Sequence, residues 1–265
     1  MIDSHAHYDD RRFNGDRHEL LTSFAGHGIE LVINIGADMK SSQKSISLAE
    51  KYPFVYAAIG VHPHEAKSMR DNDFETLRCW SEHSKVVAIG EIGLDYYYDN
   101  SPRDIQRTRF EQQLVLSKEV GLPVVIHSRD ASAETFSMLR DSGLQGVIHC
   151  YSGSREHAIE YVKAGFYIGV GGVLTYKNAR KLVETVEAIP LKSILLETDC
   201  PYLAPEPHRG RRNHSLYLTE IARKVAEIKG VSYEEVEAAN RENVLTLFTK
   251  ISGQFSGQWT VDSGQ

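Results

Sequence analysis

Two histidines separated by one residue open the chain, His5 and His7 in Ile2-Asp3-Ser4-His5-Ala6-His7. Side chains alternate along an extended strand, so both imidazoles leave on the same face. Side by side they fill a core poorly but hold a divalent metal well. Alone the pair is a weak signal, because solvated or structural histidines also occur at this spacing. Its weight comes from five further residues. His62, Glu91, His127, His149 and Asp199 each stand at, or just past, the carboxyl end of a separate apolar run. If those ends converge, His5, His7, Glu91, His127, His149 and Asp199 share one pocket. Four imidazoles and two carboxylates there need a cation to offset the buried charge. Their nitrogen and oxygen atoms suit zinc, manganese, iron or, less comfortably, magnesium. Six donors exceed the needs of one catalytic ion, so two divalent metal ions (Mg, Mn or Zn) with a bridging carboxylate are expected. Glu91, the central carboxylate in strand order, is the expected bridge. Two cations about 3.5–4 Å apart polarise a phosphoryl group and generate hydroxide between them, which is hydrolytic chemistry.

Each residue also has a plainer reading. His127 or His149 alone is more often a partly buried core histidine than a ligand. Asp199, before Pro201, suits a helix cap or turn. His62-Pro63 suits a turn, and Tyr96-Tyr97-Tyr98 a packed loop corner. Cys150 and Cys200 directly follow two of the donors. Strand alternation turns both away from the pocket, which makes them small apolar packing. Six metal-type residues at strand ends by accident is the poorer account.

The elements that would position these residues are legible in the apolar pattern. Short β-branched runs mark strands after the first at Leu31 to Ile35, Val55 to Ile59, Val86 to Ile89, Pro123 to His127, Gly146 to His149, Phe166 to Val170 and Ile194 to Glu197. Helical spacing fills the gaps, from Asp16 as N-cap to Gly28, Ser42 to Tyr52, around Phe74, Leu77 and Trp80, and Ala131 to Arg140. It returns at Ser154 to Ala164 and Asn178 to Ala188. The fourth helix is expected to open with Ser101 as N-cap, Pro102 in the first turn and Asp104 nearby. Ser232 and Glu235 form a capping box opening the last helical segment, which ends near Phe248. Eight strands alternating with helices predict an α/β fold, a single-domain (β/α)8 TIM barrel. An open doubly wound sheet competes on pattern alone, but only a closed barrel brings the polar strand ends to one mouth. The barrel is expected over residues 1–252, with residues 253–265 a polar, loosely held tail.

The chain has 265 residues, enough to bury a large core, and a net charge of −6, so no strongly basic nucleic-acid groove shows in the bulk composition and tight, extended duplex binding is not expected. Three cysteines without a C-x-x-C pair suit a reducing compartment. No stretch approaches a membrane span, and Met1 leads almost directly into the histidine strand. A soluble, cytoplasmic protein without membrane partners is expected.

The motifs together carry a resemblance. Asp3-Ser4-His5-Ala6-His7, Gly60-Val61-His62-Pro63-His64, Gly90-Glu91-Ile92-Gly93-Leu94-Asp95-Tyr96 and Ile126-His127-Ser128-Arg129-Asp130-Ala131 resemble successive signatures of the TatD family of metal-dependent hydrolases. So do His149-Cys150-Tyr151-Ser152-Gly153, Glu197-Thr198-Asp199-Cys200-Pro201-Tyr202-Leu203 and Pro207-His208-Arg209-Gly210. The match runs in order along almost the whole chain. It implies an amidohydrolase-like barrel and a divalent-metal-dependent deoxyribonuclease, typically a 3′-5′ exonuclease, with related members acting at damaged or abasic sites. Carried onto this sequence, it implies that His5 and His7 hold one metal with Asp199, that His127 and His149 hold the other, and that Glu91 bridges. Asp199 would also orient the attacking water, and His62 would contact the scissile phosphate. Glu91, Asp199 and His62 are thus the catalytic candidates. Arg129 is a charge-assisted partner for a neighbouring phosphate and Tyr96 a stacking face for a base.

One departure concerns the rim. The family's Asn-Glu-Pro is here Asn213-His214-Ser215, which keeps only Asn213 as a substrate contact. His208-Arg209-Gly210-Arg211-Arg212 is the one concentrated basic patch, and Arg209 is expected to contact backbone phosphate without reading sequence. The expected partner is therefore DNA, as single-stranded ends bound without sequence specificity. The competing readings are a hydrolase of an ester or amide, for example an aminoacyl ester on RNA, and a binding protein with a vestigial metal site.

Overall fold

The computed structural model describes residues 1–255. Eight strands pair in parallel and in chain order: β1 (Ile2–Ala6), β2 (Leu31–Ile35), β3 (Val55–Ile59), β4 (Val86–Asp95), β5 (Val124–Arg129), β6 (Gly146–Ile148), β7 (Phe166–Val170) and β8 (Ile194–Leu196). The ring is drawn together between its ends. Ala6 bridges Cys200 in parallel, Asp199 N–H donates to the His5 carbonyl (2.9 Å), and His7 N–H donates to the Cys200 carbonyl (2.8 Å). The fold is the (β/α)8 barrel rather than the open sheet. Around it run α1 (Arg17–Ser23), α2 (Met39–Lys51), α3 (Asp71–Ser81), α4 (Arg103–Val120), α5 (Ser132–Leu139), α6 (Arg155–Lys163), α7 (Arg180–Ala188), α8 (Leu218–Lys229), α9 (Tyr233–Leu247) and α10 (Thr249–Phe255). No helix among the described residues is long and apolar enough to cross a membrane.

Alternation along the strands divides the barrel interior into two zones. Val125 and His127 share a face on β5, Val147 and His149 share one on and just past β6, and Leu195, Glu197 and Asp199 share one on and past β8. The first member of each set is apolar and joins a buried cluster with Ile33, Val87 and Ala88. Val244, Leu247, Phe248 and Ile251 belong to the same cluster. The α10 ammonium of Lys250 donates to the carbonyls of Ser81 and His83 (2.6 and 3.3 Å), just ahead of β4. The last helices therefore plug the amino-terminal end of the barrel, and the polar members collect at the other end. Fully burying each Val, Leu or Ile contributes roughly 1.5–3 kcal/mol, which supports the cost of assembling that polar layer.

Several local expectations are corrected. β4 continues to Asp95, six residues beyond the apolar run that marked it, so Glu91, Gly93 and Asp95 fall on one face. Gly93 permits this, with φ at +146° and so close to β5 that a Cβ would meet the His127 carbonyl oxygen at 1.9 Å. α2 opens earlier than Ser42, because Asp38 and Ser41 form a capping box. Asp16 stands at the N-cap of α1 as expected, but its carboxylate is taken by the Arg212 guanidinium at 2.7 Å and caps no backbone N–H. Ser101 does not cap α4 either and donates instead to the His64 carbonyl (2.8 Å). The capping box at Ser232 and Glu235 forms as expected. The tail expected from Gly253 begins inside α10, and its remainder lies outside the described residues.

Candidate metal centre

The six expected donors meet at the carboxyl ends of the strands: His7, Glu91, His127, His149 and Asp199 line a pocket of about 700 Å³, and His5 packs against His7 and His149. His5 Nε2 stands 3.1 Å from His7 Nε2, 3.6 Å from Glu91 Oε2 and 3.9 Å from Asp199 Oδ1. His7 Nε2 is 3.3 Å from the same Asp199 oxygen. His127 Nδ1 lies 2.9 Å from Glu91 Oε1, and His149 Nε2 lies 4.0 Å from it and 3.9 Å from Asp199 Oδ1. Glu91 thus turns one oxygen toward His5 and the other toward His127 and His149.

What lies behind each ring decides which nitrogen faces the pocket. His7 Nδ1 is 3.0 Å from the Ile35 carbonyl, an acceptor only, so its proton sits there and Nε2 presents a lone pair inward. His127 Nε2 is 3.0 Å from Asp95 Oδ2, which leaves Nδ1 free to ligate. His149 Nδ1 is 3.0 Å from Glu197 Oε1, within ion-pair reach though poorly aligned for a hydrogen bond, and Nε2 points inward. His5 Nδ1 is buried and meets no protein partner.

The electrostatics fit a cation. Burial pushes the Glu91 carboxyl up, but His62, His149, His127 and His5 outweigh it and hold it well below the usual range. Asp199 is lowered in the same way, with His7 and His149 overcoming burial. Burial also disfavours protonated imidazole, yet the carboxylates pull His149 up to about 10 and His7 up to about 9. Protons there serve as the counter-charge a metal ion would supply. Lone pairs converging on two ionised carboxylates, with imidazole nitrogens 3.1 Å apart, suit a divalent cation.

His62 differs. Its Nδ1 accepts the His64 N–H (3.1 Å), and burial and His127 push its pKa well below the ordinary value. The neutral ring therefore carries its proton on Nε2, 3.7 Å from Glu91 Oε1. An N–H aimed into the pocket does not ligate a metal but can donate to an anionic oxygen.

Two buried carboxylates missed in the sequence support the donors. Asp95 accepts from His127 and His64 on Oδ2 (3.0 and 2.9 Å) and from the backbone N–H groups of Tyr97 and Tyr98 on Oδ1 (3.0 and 2.9 Å). Burial would raise it, and these donors bring it well below the usual range. Glu197 accepts the Cys150 N–H (2.6 Å) beside His149. Its cradle is built by an absent side chain, because a Cβ on Gly169 would meet Glu197 Oε2 at 2.5 Å. Spacing was the available signal. Glu197 stands two residues before Asp199, Asp95 four after Glu91, and His64 two after His62.

Other expected residues fall elsewhere. Cys150 is not turned away; with φ at +45° it breaks the alternation and lines the pocket, while burial pushes its thiol pKa well up. Cys200 is buried, as expected. Tyr96 offers no stacking face to the pocket, since it does not line it and its hydroxyl donates to Glu134 (2.7 Å). Tyr98 lines the pocket instead, as does Arg129. Asn213 is fully buried, donates to the carbonyls of Thr198 (2.8 Å) and Tyr202 (2.7 Å), and braces the loop after β8 instead of contacting the pocket. Arg209 lies over the Tyr176 ring, and Arg212 is paired with Asp16, so the basic loop does not line the pocket. Asp3 performs a similar bracing task. Fully buried, it accepts from the Thr198 backbone (3.0 Å) and from the hydroxyls of Thr198 and Ser215 (2.6 Å each). Burial pushes it up to about 6 despite those donors.

The TatD-related DNase family model matches residues 2–249. A Bacillus subtilis relative described as an uncharacterized metal-dependent hydrolase, YabD, is 41% identical over 251 residues, 94% of this chain and 98% of that one. The Cronobacter sakazakii protein named 3′-5′ ssDNA/RNA exonuclease TatD is 33% identical over 259 residues, 94% and 98% of the two chains. The crystal structure of YjjV, a TatD homolog from Escherichia coli, superposes with a TM-score of 0.89 at 33% identity, over 94% and 98%. The chain belongs to the TatD-related DNase family of metal-dependent hydrolases.

Proposed function

We propose that this protein is a phosphodiesterase with a two-metal centre, trimming single-stranded DNA or RNA from the 3′ end. The observation that carries the reading is the division of labour in the pocket. In their neutral forms His7, His127 and His149 turn lone pairs inward beside His5, Glu91 and Asp199, whereas His62 turns an N–H inward. His5, His7 and Asp199 would hold one cation, His127 and His149 the other, with Glu91 shared. When bound, such a pair supplies polarisation of the phosphoryl oxygens and a water acidic enough to attack at neutral pH. The protein's own groups do the rest. His62 donates Nε2–H to a non-bridging phosphate oxygen. Asp199 orients the attacking water and accepts its proton. Arg129, at the rim, offsets the charge of a neighbouring phosphate. The exonuclease name of the Cronobacter relative agrees with this substrate class.

The test is digestion of a 5′-labelled single-stranded DNA, and of the matching RNA, with magnesium or manganese, beside EDTA and Glu91→Ala controls. A ladder shortening from the 3′ end, lost in both controls, is expected. No digestion of either strand by metal-loaded protein would overturn the reading and direct attention to ester and amide substrates.

A further inference from the structure

Large apolar side chains that folding leaves in water need a reason when they gather in one place. Among the described residues the exposed ones are Tyr97 (58%), Tyr98 (54%), Val115, Tyr202 (46%) and Leu203. Tyr98, Tyr202 and Leu203 line the mouth of the metal pocket, and Tyr97 stands edge-on to Tyr98 with ring centres 4.8 Å apart. The tyrosines come from two loops, one after β4 and one after β8. In a closed ring of eight strands in chain order, β4 and β8 face each other across the barrel. The aromatic groups therefore stand on opposite sides of the mouth, with the six donors between them.

Both groups are built as platforms. The Arg129 guanidinium lies over the rings of Tyr97 and Tyr98 (4.1 and 4.7 Å), and that of Arg12 lies over Tyr202 (4.1 Å). Cation–π contact fixes each ring and leaves much of it open to a further partner. Asp95 holds the backbone of Tyr97 and Tyr98 through the same carboxylate that backs His127, so this platform and the donor cluster share one anchor. Asp199 leads into Tyr202, whose N–H donates to the Asp199 carbonyl (2.9 Å).

We infer that Tyr98 and Tyr202 are the two jaws of a base-stacking clamp that grips the nucleotides on either side of the scissile phosphate. The inference rests on the phosphodiesterase reading above and narrows its substrate to strands with unpaired bases flanking that bond. Stacking tolerates any base, because every base has a π-face, and the backing arginines add positive charge where the backbone passes. Paired bases in a duplex do not offer free faces to both jaws.

The experiment compares Tyr98→Ala, Tyr202→Ala, the double variant and the corresponding phenylalanine variants on two labelled oligothymidylates. One strand is intact and the other lacks its two 3′-terminal bases. Each alanine variant is expected to raise KM for the intact strand by about 5- to 100-fold with kcat little changed, to act on the abasic strand as the parent does, and to be rescued by phenylalanine. A direct readout comes from 2-aminopurine at the 3′ end, bound to Glu91→Gln so that the strand is not consumed. Its fluorescence is quenched on binding, and the quench is lost with the alanine substitutions. Unchanged KM, or an equal rise on both strands, overturns the clamp while leaving the phosphodiesterase intact. A parent that digests neither strand overturns both.

Discussion

His127 and His149 turn their outer ring nitrogens toward buried carboxylates, Asp95 and Glu197, each at 3.0 Å. On β1 the arrangement is different: His7 backs onto the Ile35 carbonyl, and the outer nitrogen of His5 meets no protein partner. A carboxylate behind an imidazole fixes its orientation and makes the inner nitrogen more basic, whereas a neutral carbonyl does less. One half of the donor cluster is therefore electrostatically preorganised, and the other is positioned chiefly by the backbone that carries it. The proposed consequence is unequal metal affinity. On the proposed two-metal reading, the His127–His149 half would hold its cation tightly and the His5–His7–Asp199 half would hold one that exchanges more readily.

The largest effect belongs to the residue both halves share. Glu91→Ala removes it from each, and activity is expected to fall at least about a thousandfold, read as initial rates at saturating metal. Retained activity would end the bridging role. Next come the braces. Asp95→Asn and Glu197→Gln should each weaken the tighter cation by about 10- to 100-fold and spare the weaker one, as followed by competition with a chromophoric chelator. If both cations weakened alike, the division into unequal halves would be wrong.

Acidity sharpens the same comparison. With His149 raised to about 10 and His7 to about 9, both rings hold protons near neutrality until a metal displaces them. Metal uptake is then expected to release protons, and affinity to climb between about pH 6 and about pH 8. Calorimetry in buffers of different ionisation enthalpy measures this, and an affinity flat in pH would contradict it.

The smallest functional effect is expected at Asp3, which ties β1 to the loop after β8. Its folded pKa of about 6 lies above the ordinary 3.8, so the folded state binds the extra proton. The associated stability is fully present below about pH 4 and lost as pH rises through about 6, on the order of 3 kcal/mol. Asp3→Asn should abolish that slope in urea melts between those pH values while leaving the tighter cation in place.

The barrel was legible because parallel strands buried on both faces read as continuous apolar runs, and the six donors because each stood where such a run stopped. What the runs hid was how far the strands continued. β4 passes through Glu91 to Asp95, so a carboxylate that looked like loop chemistry sits behind His127. Glu197 looked like the polar end of β8, and only the third dimension sets it against His149 beneath Gly169. The expected rim contacts shifted for related reasons. Asn213 and Arg209 have hydrogen-bond donors of the right kind for phosphate, but Asn213 is claimed by the carbonyls of Thr198 and Tyr202 and Arg209 lies over the Tyr176 ring. Residue type in a loop names what a side chain can bind, and not which partner reaches it first. Alternation likewise misassigned Cys150, because a single residue at φ +45° is enough to end the strand rule.

The most direct measurement is a metal titration of the apo protein with manganese or zinc, scored by bound equivalents per chain and repeated on Asp95→Asn. Two equivalents of unequal affinity, with only the tighter one weakened in the variant, is the predicted result. A single equivalent at saturation would contradict the two-metal centre.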